Sequence, residues 1–88
     1  MVEFYRMAEV SPKSGIPRYV HLEVLGTRCY PAVIEAGNRG YIKYFHPIDR
    51  DWYMLHTSTI ESVTTDDDGV ITIVTRNTKY VLKPEEET

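Results

Sequence analysis

The sequence predicts an all-β domain: a small barrel or strongly bent antiparallel sheet of about six to eight short strands. Three observations predict it. Apolar residues recur at every second position, as in Val20-His21-Leu22-Glu23-Val24 and Ile42-Lys43-Tyr44, which is the period of side chains along a strand. Turn-forming residues punctuate the chain at intervals of about 10 residues, the rhythm of sandwiches and barrels. No stretch keeps a convincing helical period.

Strands are expected at 2–9, 18–25, 28–35, 40–45, 52–56, 59–65, 70–76 and 79–83. The segment SPKSGIP at 11–17 holds two prolines and a glycine and reads as a loop. Gly26-Thr27 links two strand-like runs. Gly37-Asn38-Arg39-Gly40 is a better turn, because glycine and asparagine tolerate positive φ. In 41–45, Tyr41, Lys43 and Phe45 point one way, and Ile42 and Tyr44 the other. HPIDRD at 46–51 is a turn or a short helical turn. Trp52, Tyr53, Met54 and Leu55 follow as four consecutive bulky residues. A strand buried on both faces explains them, and an exposed aromatic patch is the rival reading. Asp68-Gly69 is a strong hairpin signal, and Asn77-Thr78 suggests the last hairpin. Between them, 70–76 is apolar or β-branched on both faces and reads as a central strand. Closing the sheet would remove its exposed edges, and the result is on the scale of an SH3-like barrel. The single ordered domain is expected over 2–83, with an acidic disordered tail at 84–88.

Eighty-eight residues suffice for one domain and not for two. Apolar residues make up 42% and charged residues 26%, a globular mixture that excludes a wholly disordered or collagen-like chain. No apolar run approaches the roughly 20 residues of a membrane-spanning helix. The opening MVEFYRMAEV lacks a basic stretch followed by an apolar one and is not read as a signal peptide. The net charge is −3, but it is unevenly placed. With Glu85, Glu86 and Glu87 set apart, ten acidic residues face ten basic ones; with Asp66, Asp67 and Asp68 also set apart, seven face ten. The acidity thus belongs to the tail and one turn. The weakly basic remainder lacks the footprint of a duplex binder. The EEET ending is most simply a solvated, frayed end, against a docking or charge-mimicking role.

Cys29 is the only cysteine, so no internal disulfide forms, and a reducing, cytoplasmic setting is the default. Cysteine in an apolar strand reads as a small buried hydrophobe, although it could in principle be a nucleophile with His21 or His56 as base. His46, Asp49, Asp51 and His56 fall within 11 residues and are metal-ligand types. Their spacing matches no recognised metal motif, and aspartate in a turn commonly serves local hydrogen bonding. Glu23, Glu35 and Glu61 occupy polar positions of alternating runs, the expected solvent side. No phosphate-loop pattern is present. The Gly37–Gly40 turn could offer backbone donors and Arg39 to an anion, but a plain hairpin turn explains it as well. No catalytic residue, metal ligand or cofactor is therefore assigned.

The aromatic residues are more informative. Seven tyrosines accompany two phenylalanines and one tryptophan, and tyrosine suits half-exposed faces and interfaces. Arg28, Tyr30, Arg39, Tyr41, Lys43 and Tyr44 lie on two runs joined by the Gly37–Gly40 turn. As a hairpin these runs would bring basic and aromatic groups together. Such a face fits a protein interface or the stacking of a nucleotide or single-stranded nucleic acid. A third reading is tyrosines that merely flank a thin core.

The C-terminal third carries His56-Thr57-Ser58-Thr59-Ile60, then DDDG, then Thr75-Arg76-Asn77 and Tyr80-Val81-Leu82. This pattern resembles the ending of small β-rich proteins of bacteriophages and mobile elements. The resemblance implies a protein of the bacterial host cytoplasm that binds and blocks a host factor, immunity components included. It carries over no catalytic residue.

The expected function is therefore non-enzymatic binding. Arg28, Tyr30, Arg39, Tyr41, Lys43, Tyr44 and Trp52 would form a face that occludes a protein partner, a host factor such as an anti-defence target, by burying a standard interface of roughly 800 Å² per side. The alternatives are a nucleotide or single-stranded nucleic-acid binder and a metal-dependent enzyme centred on His46 and His56. A membrane partner is not expected; self-association is compatible with the small core.

Overall fold

The computed structural model describes residues 4–85. Six antiparallel strands follow one another around a closed barrel: β1 (Tyr5–Pro12), β2 (Arg28–Val33), β3 (Arg39–His46), β4 (Asp51–Thr65), β5 (Ile71–Thr75) and β6 (Thr78–Pro84). One short helix, α1 (Tyr19–Val24), lies between β1 and β2. The all-β barrel expected from the alternation is the observed fold. Among the described residues no helix is long and apolar enough to cross a membrane.

Strand β3 shows most directly how the pattern becomes structure. Gly40, Ile42, Tyr44 and His46 are buried, and Tyr41, Lys43 and Phe45 face outward and are half-buried. Met7, Cys29, Ile42, Ile60, Ile73 and Leu82 fill the interior with essentially no exposure. The closing pair is β1 with β6, from Tyr5–Pro84 to Pro12–Thr78. The pair β1–β2 is short, at Tyr5–Cys29 and Arg6–Arg28. Beyond it, the backbone of Met7 bonds Thr27 and Gly26 at 2.9 and 2.8 Å, and α1 covers the gap with Val24 buried.

The strand expected at 18–25 is instead this helix. Its alternation is compatible with a strand, but local capping outweighs so weak a preference. Nδ1 of His21 accepts the Arg18 N–H at 2.9 Å at one end, and the Thr27 hydroxyl donates to the Val24 carbonyl at 2.6 Å at the other. Gly26, at φ 82, lets the chain turn away.

A second correction concerns 52–56 and 59–65, which form one strand of 15 residues. Its first half pairs with β3 and its second with β5. The register of β3 on β4 slips between Arg39 and Tyr41. There the Thr57 hydroxyl accepts the Gly40 N–H at 2.8 Å. A side chain at Gly40 would lie 2.7 Å from Ile60 Cδ1 and 2.8 Å from the Thr57 hydroxyl, so glycine lets the two strands approach here without displacing either side chain.

Residues 2 and 3 of the expected first strand, and 86–88 of the expected tail, lie outside the described residues. Pro84 belongs to β6. Glu85 is held rather than loose: its N–H donates to the Phe4 carbonyl at 3.0 Å, and its carboxylate meets Arg6 and Arg28.

Candidate binding surface

The hairpin of β2 and β3 forms as the composition suggested, with Tyr30 opposite Lys43 and Cys29 opposite Tyr44. Side chains alternate, so Tyr30, Lys43 and Phe45 share the outer face. Strand β4 adds Trp52 opposite Phe45, and Phe4 completes the group. Phe4 stacks on Trp52 with centroids 5.5 Å apart and planes 19° apart. Tyr30 and Phe45 meet Trp52 edge-on at 6.2 and 5.5 Å. The Arg28 guanidinium lies 5.3 Å from the Phe4 centroid, and the Lys43 ammonium 5.7 Å from that of Tyr30, both within cation–π range.

This face continues into a groove of about 810 Å³ between α1 and the β3–β4 turn. Tyr19, Leu22 and Leu25 form the helical wall, Pro47 and Ile48 the opposite wall, and Trp52 joins the groove to the aromatic face. The walls are apolar yet exposed: Ile48 by 80%, Tyr19 by 77% and Leu22 by 63%. At the rim, Arg6 donates to the Gly26 carbonyl at 2.7 Å. The Glu85 carboxylate bridges Arg6 and Arg28, at 2.5 and 2.7 Å.

A polar clamp holds the two walls in place. Glu23 of α1 accepts the Tyr44 hydroxyl at 2.9 Å and lies 2.7 Å from Nε2 of His46. The N–H groups of Ile48 and Asp49 point at His46 Nδ1, at 3.3 and 3.0 Å. That nitrogen is an acceptor, so the ring carries its proton on Nε2 and donates to Glu23. Burial and the Glu23 hydrogen bond push the Tyr44 hydroxyl up to about 12, which keeps it a donor. The hydroxyl of Tyr53 donates to Asp49 across the same turn.

Arg28, Tyr30, Lys43 and Trp52 are therefore brought together as expected. Tyr41 lies farther along the outer face, edge-on to His56 at 4.9 Å. Arg39 stands at the far end of β3, its Nε donating to the Thr57 carbonyl at 3.2 Å. Tyr44 departs from the expected face: it turns inward, is 4% exposed and serves the clamp. Glu23 likewise faces this clamp rather than solvent, because it sits on a helix; Glu35 and Glu61 are exposed. Burial on both faces at 52–55 holds for Leu55 alone, since Trp52, Tyr53 and Met54 are each nearly two-fifths exposed.

His46 points into the barrel mouth, while His56 lies outside against Tyr41. Asp51 accepts the Trp52 N–H. Among the described residues no group of three or more His, Cys, Asp or Glu is placed to hold a metal. Cys29 is buried, and its thiol is pushed up to about 12 by burial and by Glu85, partly opposed by Arg6. It stays protonated near neutral pH and is a poor nucleophile there.

Sequence reasoning missed Tyr19, Leu22, Leu25 and Ile48. The signal was present in the three-residue spacing of the first three, which share one face only on a helix. Comparison with protein-family models, curated proteins and solved structures finds no match.

Proposed function

We propose that this barrel is a non-enzymatic binding module that occludes a surface of a protein partner. The observation that carries the reading is the exposure of Tyr19, Leu22 and Ile48 around one groove. A contiguous apolar surface on a small domain marks an interaction site, and Trp52 beside Arg28 supplies the residue types that dominate interface energetics. The partner segment presents apolar side chains flanked by a carboxylate. Arg6 and Arg28 take a carboxylate, that of Glu85, at the groove rim, and an acidic residue of the partner would exchange with it on the same fork.

In this reading the partner is a host factor of a bacterial cytoplasm, and the protein an inhibitor of phage or mobile-element type. It acts by covering the partner's surface, with no bond made or broken. The test is capture from a host extract, followed by titration of the identified partner in purified form. Trp52→Ala and Leu22→Glu should each weaken binding by about tenfold or more while leaving the fold intact. Equal binding by both variants would remove the groove from consideration. Binding of a single-stranded oligonucleotide that falls steeply with salt would favour the nucleic-acid reading instead.

A further inference from the structure

A second cleft, of about 320 Å³, opens on another side of α1, between the loop after β1, the β5–β6 turn and the middle of β4. We infer that it binds a small phosphate monoester, with the phosphate between Arg18, Arg76 and the imidazole of His21. Its lining includes Lys13, Arg18, Arg76, His21 and His56, and no carboxylate. Lys13 is already paired, to Glu61 at 2.7 Å. Neither Arg18 nor Arg76 has a carboxylate partner among the described residues. Two guanidiniums that line one cleft and have no carboxylate partner among the described residues supply the charge and the forked donors that an anion takes.

The uncharged donors agree. His21 Nδ1 accepts the Arg18 N–H, which leaves its proton on Nε2. That nitrogen faces Thr78 Oγ1 at 3.5 Å, the limit of a hydrogen bond, and so is free to turn to a better acceptor. Burial and the nearby Arg18 charge lower the His21 pKa, the direction expected where positive charge is uncompensated. A carboxylate offers two acceptor oxygens; a phosphate monoester offers three and up to two charges, which suits two guanidiniums plus an imidazole N–H. The volume is at the lower end of ligand pockets. Ile16, Val20 and Leu55 give the organic part an apolar wall.

The experiment titrates the protein with AMP, inorganic phosphate and adenosine at low salt, followed by amide and imidazole NMR. Expected are saturable shifts at His21, Arg76 and Thr78 with AMP up to about 1 mM. AMP should bind more tightly than phosphate, adenosine should have no effect, and the His21 pKa should rise on binding. Arg76→Gln, an exposed position, should weaken AMP by about tenfold to a hundredfold without moving the thermal midpoint. The inference is overturned if AMP shifts none of these resonances, if adenosine binds as well as AMP, or if Arg76→Gln binds like the parent.

Discussion

The Glu23 carboxylate lies 2.7 Å from Nε2 of His46 and so ties α1 to the end of β3. Both walls of the apolar groove depend on this contact, because Leu22 flanks one partner and Pro47 the other.

Removing the clamp should therefore cost both stability and binding. Glu23→Ala strands the buried His46 N–H and Tyr44 hydroxyl, a loss of about 1–3 kcal/mol. Glu23→Gln keeps one acceptor and should lose less. Urea unfolding followed by circular dichroism measures both, and an alanine variant as stable as the parent would show that the clamp contributes nothing.

Gly40→Ala should destabilise by about 1–3 kcal/mol, as overpacking does. Its new methyl would meet Ile60 Cδ1 at 2.7 Å and Thr57 Oγ1 at 2.8 Å. Ile60→Val should recover part of that loss in the double variant, since it trims the crowded side. A Gly40→Ala protein with an unchanged midpoint would mean that the strands can separate freely there.

The alternation in β3 and the turns at Gly37-Asn38 and Asp68-Gly69 were legible because each depends on neighbours in sequence. Helix α1 was not, since six residues give less than two turns and their pattern of apolar residues fits either period. Its identity is decided by Arg18, His21 and Thr27, whose capping bonds have no strong sequence signature here. The groove was hidden for the same reason: it exists only once Tyr19 and Leu22 share a helical face opposite Ile48. Composition groups Tyr44 with the outer face, although the alternation at 41–45 already sets it with Ile42, opposite Tyr41 and Lys43, and that is the buried side.

Cys29 should be inert in the native protein. Below pH 9.0, where the unfolded thiol begins to ionise, its burial carries no pH penalty. As pH rises toward the folded value of about 12, the unfolded state sheds the proton first and stability drains away. Ellman's reagent should label only urea-unfolded protein, and Cys29→Ala should flatten the alkaline loss. Rapid labelling of native protein would contradict the buried placement.

His21 predicts the opposite limb. Its pKa is lowered from 6.5 by burial and by Arg18, so the unfolded chain takes up its proton before the folded one. Stability should be full above 6.5 and fall as the pH drops below it, until the folded imidazole is itself protonated. His21→Gln should narrow the difference between urea midpoints at about pH 7 and about pH 5. An unchanged difference would assign the acid sensitivity to other groups.

Trp52 is the sole tryptophan and is 38% exposed, so its emission reports on the junction of the groove and the aromatic face. Acrylamide should quench it in the free protein. A saturating partner should shift emission to the blue and protect it. Quenching that is unaltered by a bound partner would place the interface elsewhere.

The bond between Phe4 and Glu85 has a further consequence. In a ring of six strands, each hydrogen-bonded to the next, none is topologically first. A short peptide joining the two ends, with the backbone reopened at Asp67 in the exposed β4–β5 turn, would give a circular permutant with all six strands and both clefts. Its new ends would then leave from that turn, and Glu85 would lie in one continuous stretch of chain with Arg6 and Arg28, whose charges it bridges.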